Sequence, residues 1–223
     1  MRIVIEIVLG ILLIISGYTF VCYYMAERRW ITENKWVVKT DSRRKIGYLI
    51  SAGVICGGMI AAFEILYSEQ TLIHHAKSLT LVLMIYPMAV IDYRIQKIPN
   101  QLLLIALMFR GIYYIIEFGI SSSDVIATIK EDVAGAIIIG AFFFILLILF
   151  KNCIGMGDIK LFMLMGLYQG IWGACSSVFL SLVVSFFLSI GLLITRKKNK
   201  KDTISFGPSI LIGTVLSIGL FGI

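Results

Sequence analysis

Residues 133–150 read VAGAIIIGAFFFILLILF. The run holds no charged side chain and is about as long as a helix must be to cross the hydrocarbon of a bilayer, roughly 20 residues at ~1.5 Å each. A surface helix of a soluble domain keeps a polar face for water. This one is apolar all round, so lipid is the solvent that suits it. Further apolar runs lie near 3–24, 46–67, 78–91, 101–117, 159–174, 176–195 and 206–223. All but 78–91 and 159–174 are long enough to span unaided. The chain therefore reads as all-α: a polytopic integral membrane protein of about eight transmembrane helices, forming a single membrane domain over 1–223.

Composition agrees. Of 223 residues, 59% are hydrophobic and 15% charged, with a mean hydropathy of +0.96. Soluble domains sit near 45–50% and about 25%, and a soluble chain of this size could not cover itself with so few polar groups. Cys22, Cys56, Cys153 and Cys175 are widely separated and form no C-x-x-C pair, so neither a disulfide framework nor a structural zinc module is indicated. They read as small buried hydrophobes, and no metal or cofactor is expected.

The net charge of +7 invites a nucleic-acid reading, but its distribution gives a better one. The 27–45 loop carries Arg28, Arg29, Lys35, Lys39, Arg43, Arg44 and Lys45. Arg94 and Lys97 follow the third run, Lys151 and Lys160 the fifth, and RKKNKKD at 196–202 the seventh. Arg2, Lys77 and Lys130 fall on the other side. Basic residues gather in the cytoplasm, which places those four connections inside and both termini outside, with no nucleic-acid partner. The 196–202 segment is expected to anchor the topology against anionic lipid. The first run lacks a basic leader beyond Arg2 and a clear cleavage site, so it reads as a retained helix. Outer connections are expected at 68–77, at 118–132 and in a tight turn near Gly173.

Ionisable groups at membrane depth are functional candidates, because desolvating them is costly. They are Glu6, Glu64, Asp92, Arg110 and Asp158. Glu6 and Glu64 lie near the outer interface, and Arg110 is expected to snorkel outward, so these three read as structural. Asp92 and Asp158 both lie at the cytoplasmic end of a helix. Asp92 belongs to Ile91-Asp92-Tyr93-Arg94-Ile95-Gln96-Lys97-Ile98-Pro99-Asn100, where Pro99-Asn100 punctuates a turn. Asp158 belongs to Gly155-Met156-Gly157-Asp158-Ile159-Lys160, whose glycines permit close backbone approach. Two neighbouring carboxyls cannot both ionise cheaply, so such a pair holds one proton near neutral pH. One member can then take a proton from water while its partner donates to a peptide carbonyl. Spacing alone leaves open a plainer reading, in which Asp158 caps the sixth helix and Asp92 ends the third.

Asp92 ahead of Pro99-Asn100, followed by Gly155-Met156-Gly157-Asp158, resembles the type IV prepilin peptidase family of membrane aspartic proteases, over roughly 75–215. Phe206-Gly207-Pro208 is similar to that family's C-terminal motif. Presenilin-like proteases share G-x-G-D but pair it with Tyr-Asp and Pro-Ala-Leu, which are absent here. The resemblance implies an aspartic endopeptidase that removes the basic leader of prepilin-like precursors on the cytoplasmic side, just after a glycine. It implies Asp92 and Asp158 as the catalytic pair, with Gly155 and Gly157 shaping the loop of the second and Lys160 a positive neighbour. Longer bacterial members resemble bifunctional enzymes that also methylate the new N-terminus, with a two-C-x-x-C insert between the first two spans. Here 27–45 has no cysteine, which puts methylation in doubt. An archaeal preflagellin peptidase of the same family is the nearest alternative. A proton- or cation-coupled transporter is the alternative of a different class, although the internal repeats and broken mid-span helices common in transporters are not evident.

The short third and sixth runs carry one further expectation. Fourteen to sixteen helical residues rise only about 21–24 Å against a core of roughly 30 Å, which would sink both aspartates into a recess below the cytoplasmic interface. The competing expectation is that Leu72 to Lys77 extends the third helix outward.

Overall fold

The computed structural model describes residues 2–33, 42–120, 122–150, 155–194 and 205–222. Every element among them is a helix: α1 (Arg2–Glu33), α2 (Ser42–Leu66), α3 (Leu72–Ile95), α4 (Asn100–Ile120), α5 (Ser122–Leu149), α6 (Met156–Ile194) and α7 (Gly207–Phe221). Six are long and apolar enough to cross a membrane, and α7 is a shorter apolar helix. The chain is a multi-pass, all-helical membrane protein.

Helix α3 is the axis. Over its most apolar 18 residues 78% are buried, against 17–33% for the other five long helices, and it packs against α1, α2, α4, α6 and α7. It begins where Thr71, in extended conformation, accepts the His74 N–H on its hydroxyl at 3.4 Å, a serviceable N-cap. Because it starts at Leu72 rather than near 78, its 24 residues rise about 36 Å. The outward extension is what the structure shows, and the expected short third helix is not found.

The outer helices are inverted relative to soluble ones. On α4, Leu104, Met108, Ile112 and Ile115 form an exposed apolar stripe, while Ala106, Arg110 and Tyr113 face inward. Lipid tolerates the stripe, and polar groups find partners only in the interior.

Helix α6 spans 39 residues, about 58 Å if straight and nearly twice the hydrocarbon thickness. At Gly170 (φ 66°, ψ −171°) it leaves helical geometry through a region essentially restricted to glycine and doubles back. The Ser177 hydroxyl donates to Gln169 Oε1 across the turn at 3.0 Å. Residues 156–169 lie against α5, where Gly166 is so close to Gly135 and Ala136 that a Cβ would come within 2.6 Å of the Ala136 nitrogen. Small residues permit such approach in membrane bundles. Residues 171–194 run along α7, with Ser176 and Ser217 hydroxyls 2.6 Å apart. The reversal falls at Gly170 rather than near Gly173.

Three residues before the break, the Leu167 carbonyl accepts a hydrogen bond from Arg110 Nε at 2.7 Å. Arg110 is fully buried. It also pairs with Asp132 and with Glu117 at 3.3 Å, while its guanidinium lies 3.7 Å from the Tyr114 ring centre. Its charge is met in place, so it does not snorkel. Glu6 is likewise buried, 3.0 Å from His75 Nδ1 and 3.5 Å from Arg2, which also reaches Glu64 at 3.6 Å.

Connections are shorter than the sequence suggests. Helix α1 continues to Glu33 and α2 begins at Ser42, narrowing the 27–45 loop, of which 34–41 lie outside the described residues. Likewise α4 reaches Ile120 and α5 starts at Ser122, so most of the expected 118–132 connection is helix. Lys151, Cys153 and the 196–202 segment lie outside the described residues.

Candidate functional site

Asp92 sits in the last turn of α3, where its carbonyl accepts the Gln96 N–H at 2.8 Å. The helix stops there because Gln96 adopts a left-handed conformation (φ 56°, ψ 40°) and because Pro99 keeps the preceding Ile98 out of helical geometry. Asn100 then opens α4. The connection 96–99 thus carries the chain sharply from α3 to α4 beside the aspartate.

Asp158 lies in the first turn of α6. Its backbone N–H donates to the Gly155 carbonyl at 3.0 Å, and its carboxylate takes a backbone hydrogen bond from Gly155 in return. This is the reciprocal arrangement by which an acidic residue in the first turn satisfies an otherwise orphaned N–H. Asp158 therefore does cap its helix, and the cap fixes where the carboxylate points. A Cβ on Gly155 would lie 3.1 Å from Asp158 Oδ2, and one on Gly157 3.1 Å from Ile98 Cβ. The two glycines let this turn settle against the 96–99 connection.

A third element closes the site. The N–H of Gly207, at the start of α7, donates to Asp92 Oδ2 at 2.8 Å, and the Phe206 backbone adds a second hydrogen bond. A helix start is a natural seat for a carboxylate, since its N–H groups lack intrahelical partners and carry partial positive charge. Gly207 has no room for a side chain: its Cβ would stand 3.0 Å from Ala89 Cα, Asp92 Cβ and Asp92 Oδ2.

Asp92 and Asp158 share one recess of about 690 Å³, lined also by Tyr24, Gln96, Lys97, Ile98, Pro99, Asn100, Gln101, Gly155, Met156, Gly157 and Lys160. Every residue that the sequence singles out here (Asp92, Pro99, Asn100, Gly155, Gly157, Asp158 and Lys160) is on its wall. Asp158 lies within electrostatic reach of Asp92. Gln96, Lys97, Asn100, Gln101 and Lys160 are exposed, so the recess opens to solvent at this end. Lys160 Nζ donates to Asn100 Oδ1 at 3.0 Å, tying α6 to the start of α4. Among the described residues no group of three or more His, Cys, Asp or Glu is placed to hold a metal ion.

Sequence reasoning missed Tyr24, Gln96 and Gln101, and gave Gly207 no role. Tyr24 reaches the recess from α1, which no local pattern around Asp92 announces. The Asp92–Gly207 hydrogen bond joins residues 115 apart, and only the folded chain displays it. Gln96 stands inside the quoted Asp92 segment, but its left-handed backbone has no signature in a glutamine. What results is a polar, water-accessible pocket with two carboxyls, each held by backbone donors.

No curated protein and no solved structure matches the chain. A family model does: that of the type IV leader peptidase family, over residues 78–194, more than half of the chain and a stretch that holds both Asp92 and Asp158. The chain belongs to the type IV leader peptidase family.

Proposed function

We propose that this protease is an aspartic endopeptidase that removes the basic leader from type IV prepilin-like precursors at the cytoplasmic face of the plasma membrane, with Asp92 and Asp158 as its catalytic pair. The observation that carries this reading is that the two carboxyls line one solvent-open recess, each oriented by backbone N–H groups of a helix start.

The pair shares one proton. A water between the carboxyls gives a proton to the ionised member as its oxygen attacks the scissile carbonyl carbon, and the protonated member donates to the carbonyl oxygen. A tetrahedral diol forms. Its collapse breaks the C–N bond: one diol hydroxyl returns its proton to the pair and the leaving nitrogen takes a proton from it, restoring the one-proton state. Asp92 and Asp158 do the chemistry. Gly207 and Gly155 hold them in place, and Pro99, Asn100 and Lys160 shape the wall.

In this reading the chain crosses the membrane eight times, counting each half of α6 and α7, with both termini outside. The basic connections then lie on the same side as the recess, where a leader synthesised in the cytosol arrives. Membrane lipids are a further partner, and no nucleic acid takes part. The prepilin-like substrate is preferred to preflagellin on the motif resemblance, and methylation of the product is not included because 27–45 has no cysteine.

Co-expression with a candidate precursor, followed by intact-mass measurement of that precursor, tests the proposal. Loss of the leader mass is expected with the wild type. Asp92→Asn and Asp158→Asn should each abolish it while remaining folded and membrane-inserted. Substantial cleavage by either variant would overturn the catalytic assignment.

A further inference from the structure

A separate cavity, of about 460 Å³, lies at the far end of α3 from the aspartates, where the start of α3, the end of α4 and the start of α5 meet. Leu72, Ile73, Ile120 and Val125 give it apolar walls. Ile120 is exposed, and so are Ile116 and Ile112, each one turn further along α4. An apolar track therefore leads away from the cavity over the lipid-facing surface. The polar lining includes an ion pair: Lys77 Nζ stands 2.7 Å from Glu117 Oε1, with the two side chains only 12% and 14% exposed. One turn before Lys77, His74 also lines the cavity. Its Nδ1 is buried and has no hydrogen-bond partner among the described residues, a state that costs free energy until a ligand or neighbour meets it.

We propose that this cavity binds a phospholipid with a primary-amine zwitterionic headgroup, phosphoethanolamine. The phosphate meets Lys77, the ammonium meets Glu117 and His74, and an acyl chain follows Ile120, Ile116 and Ile112. Charge selects this occupant. Lys77 and Glu117 sum to zero, so a singly charged ligand would bring an uncompensated charge into a site largely screened from water, which is costly. A zwitterion brings none. Both partners keep capacity for it, because an ammonium has three donors and a carboxylate about four acceptor positions. The orphaned imidazole nitrogen narrows the choice further. A neutral imidazole carries one acceptor nitrogen; a primary ammonium can donate to it, whereas a quaternary ammonium has no N–H to give. The bilayer supplies the ligand. The site belongs to the leaflet opposite the aspartate recess, and it stands whether or not the peptidase reading holds.

The test titrates the delipidated full-length protein with phosphatidylethanolamine, phosphatidylcholine and phosphatidylglycerol of identical chains, reading bound lipid by native mass spectrometry. The wild type should bind one phosphatidylethanolamine about tenfold more tightly than either of the others, the worth of a hydrogen bond to a charged group. His74→Phe keeps a ring of similar shape and removes the nitrogen. It should abolish the preference. Its thermal unfolding midpoint in phosphatidylcholine should equal or exceed the wild type's, because no described residue uses that nitrogen. Soluble glycerophosphoethanolamine, which has the headgroup without the chains, should fail to displace the lipid at a thousandfold excess. Equal retention of the three lipids, tighter binding of phosphatidylglycerol, or a preference undiminished in His74→Phe would overturn the inference. So would a lowered midpoint of that variant in phosphatidylcholine, which would show that the ring nitrogen serves the protein itself. Displacement by the soluble headgroup would overturn the membrane as the source of the ligand.

Discussion

Replacing Gly207 by alanine adds a single methyl group at the point where α7 meets Asp92. The new Cβ would lie 3.0 Å from Ala89 Cα, Asp92 Cβ and Asp92 Oδ2, against an ordinary carbon contact of about 3.5–4.0 Å. Ala89 Cα is backbone inside the buried axis of the bundle, so it cannot give way. The start of α7 must retreat by roughly 0.5–1 Å, or Asp92 must rotate. Either movement stretches the 2.8 Å hydrogen bond from the Gly207 N–H beyond the useful limit of about 3.2 Å. A hydrogen bond to a charged group is worth about 1.5–3 kcal/mol, and the added bulk costs about 1–3 kcal/mol more through overpacking. A displacement of about 1 Å in a positioned catalytic group lowers turnover by about 10²-fold. Gly207→Ala should thus remain folded with a lowered unfolding temperature, and cleave its precursor about a hundredfold more slowly in kcat/KM. Gly219→Ala, on the same helix with nothing within 4 Å of its added Cβ, is the matched control and should change neither quantity. Leader removal by Gly207→Ala within twofold of the wild-type rate would refute the claim that α7 seats the aspartate.

Other consequences can be checked separately. In a cysteine-free background, cysteines at 92 and 158 should react with small aqueous thiol reagents added from the cytosolic side and poorly with bulky ones. Equal, fast labelling by bulky reagents would mean that the aspartates stand at the surface rather than in a recess. Arg110→Leu should destabilise the protein by about 3–5 kcal/mol, because it strands a buried Asp132. Adding Asp132→Leu should recover most of that loss, and a single-variant cost below about 1 kcal/mol, measured by thermal unfolding in detergent, would sink the account of a buried pair.

The sequence displayed the solvent of this fold more clearly than its geometry. Runs such as 133–150 announce lipid because nothing polar interrupts them. The Asp92 and Asp158 motifs are legible because proline, asparagine and paired glycines punctuate the chain beside them. Helix ends were less visible. Thr71 caps α3 ahead of a polar stretch, His74 to Lys77, that hydropathy alone excludes from a span, so the first turns of the most buried helix looked like a loop. Arg110 misled in the opposite sense: a lone arginine in an apolar run suggests an exit to the interface, and its partners Asp132 and Leu167 arrive only when α5 and α6 fold against it. The recess was expected from short third and sixth runs, of which the third proves long while the first half of α6, 156–169, stays short. It arises where 96–99, the first turn of α6 and the first turn of α7 converge.

The Arg110 cluster also bears on how the protein is made. The guanidinium and its Glu117 partner belong to α4, its other carboxylate partner Asp132 to α5 and its carbonyl partner to α6, so α5 entering lipid alone carries an aspartate whose arginine is still missing. A lone arginine or aspartate at the centre of an inserting helix costs about 2.5–3.5 kcal/mol. A closed α4–α5 hairpin neutralises both charges within one unit. Biosynthesis should therefore release these segments from the translocation machinery as a pair, with residues 156–169 joining before the Leu167 carbonyl is exposed to acyl chains. Nascent chains truncated after α5 would report this directly: Asp132→Leu should impair membrane integration of α4, whereas Arg110→Leu combined with Asp132→Leu should restore it. Equal integration of all three forms would mean that the cluster assembles only after each helix has entered the bilayer by itself.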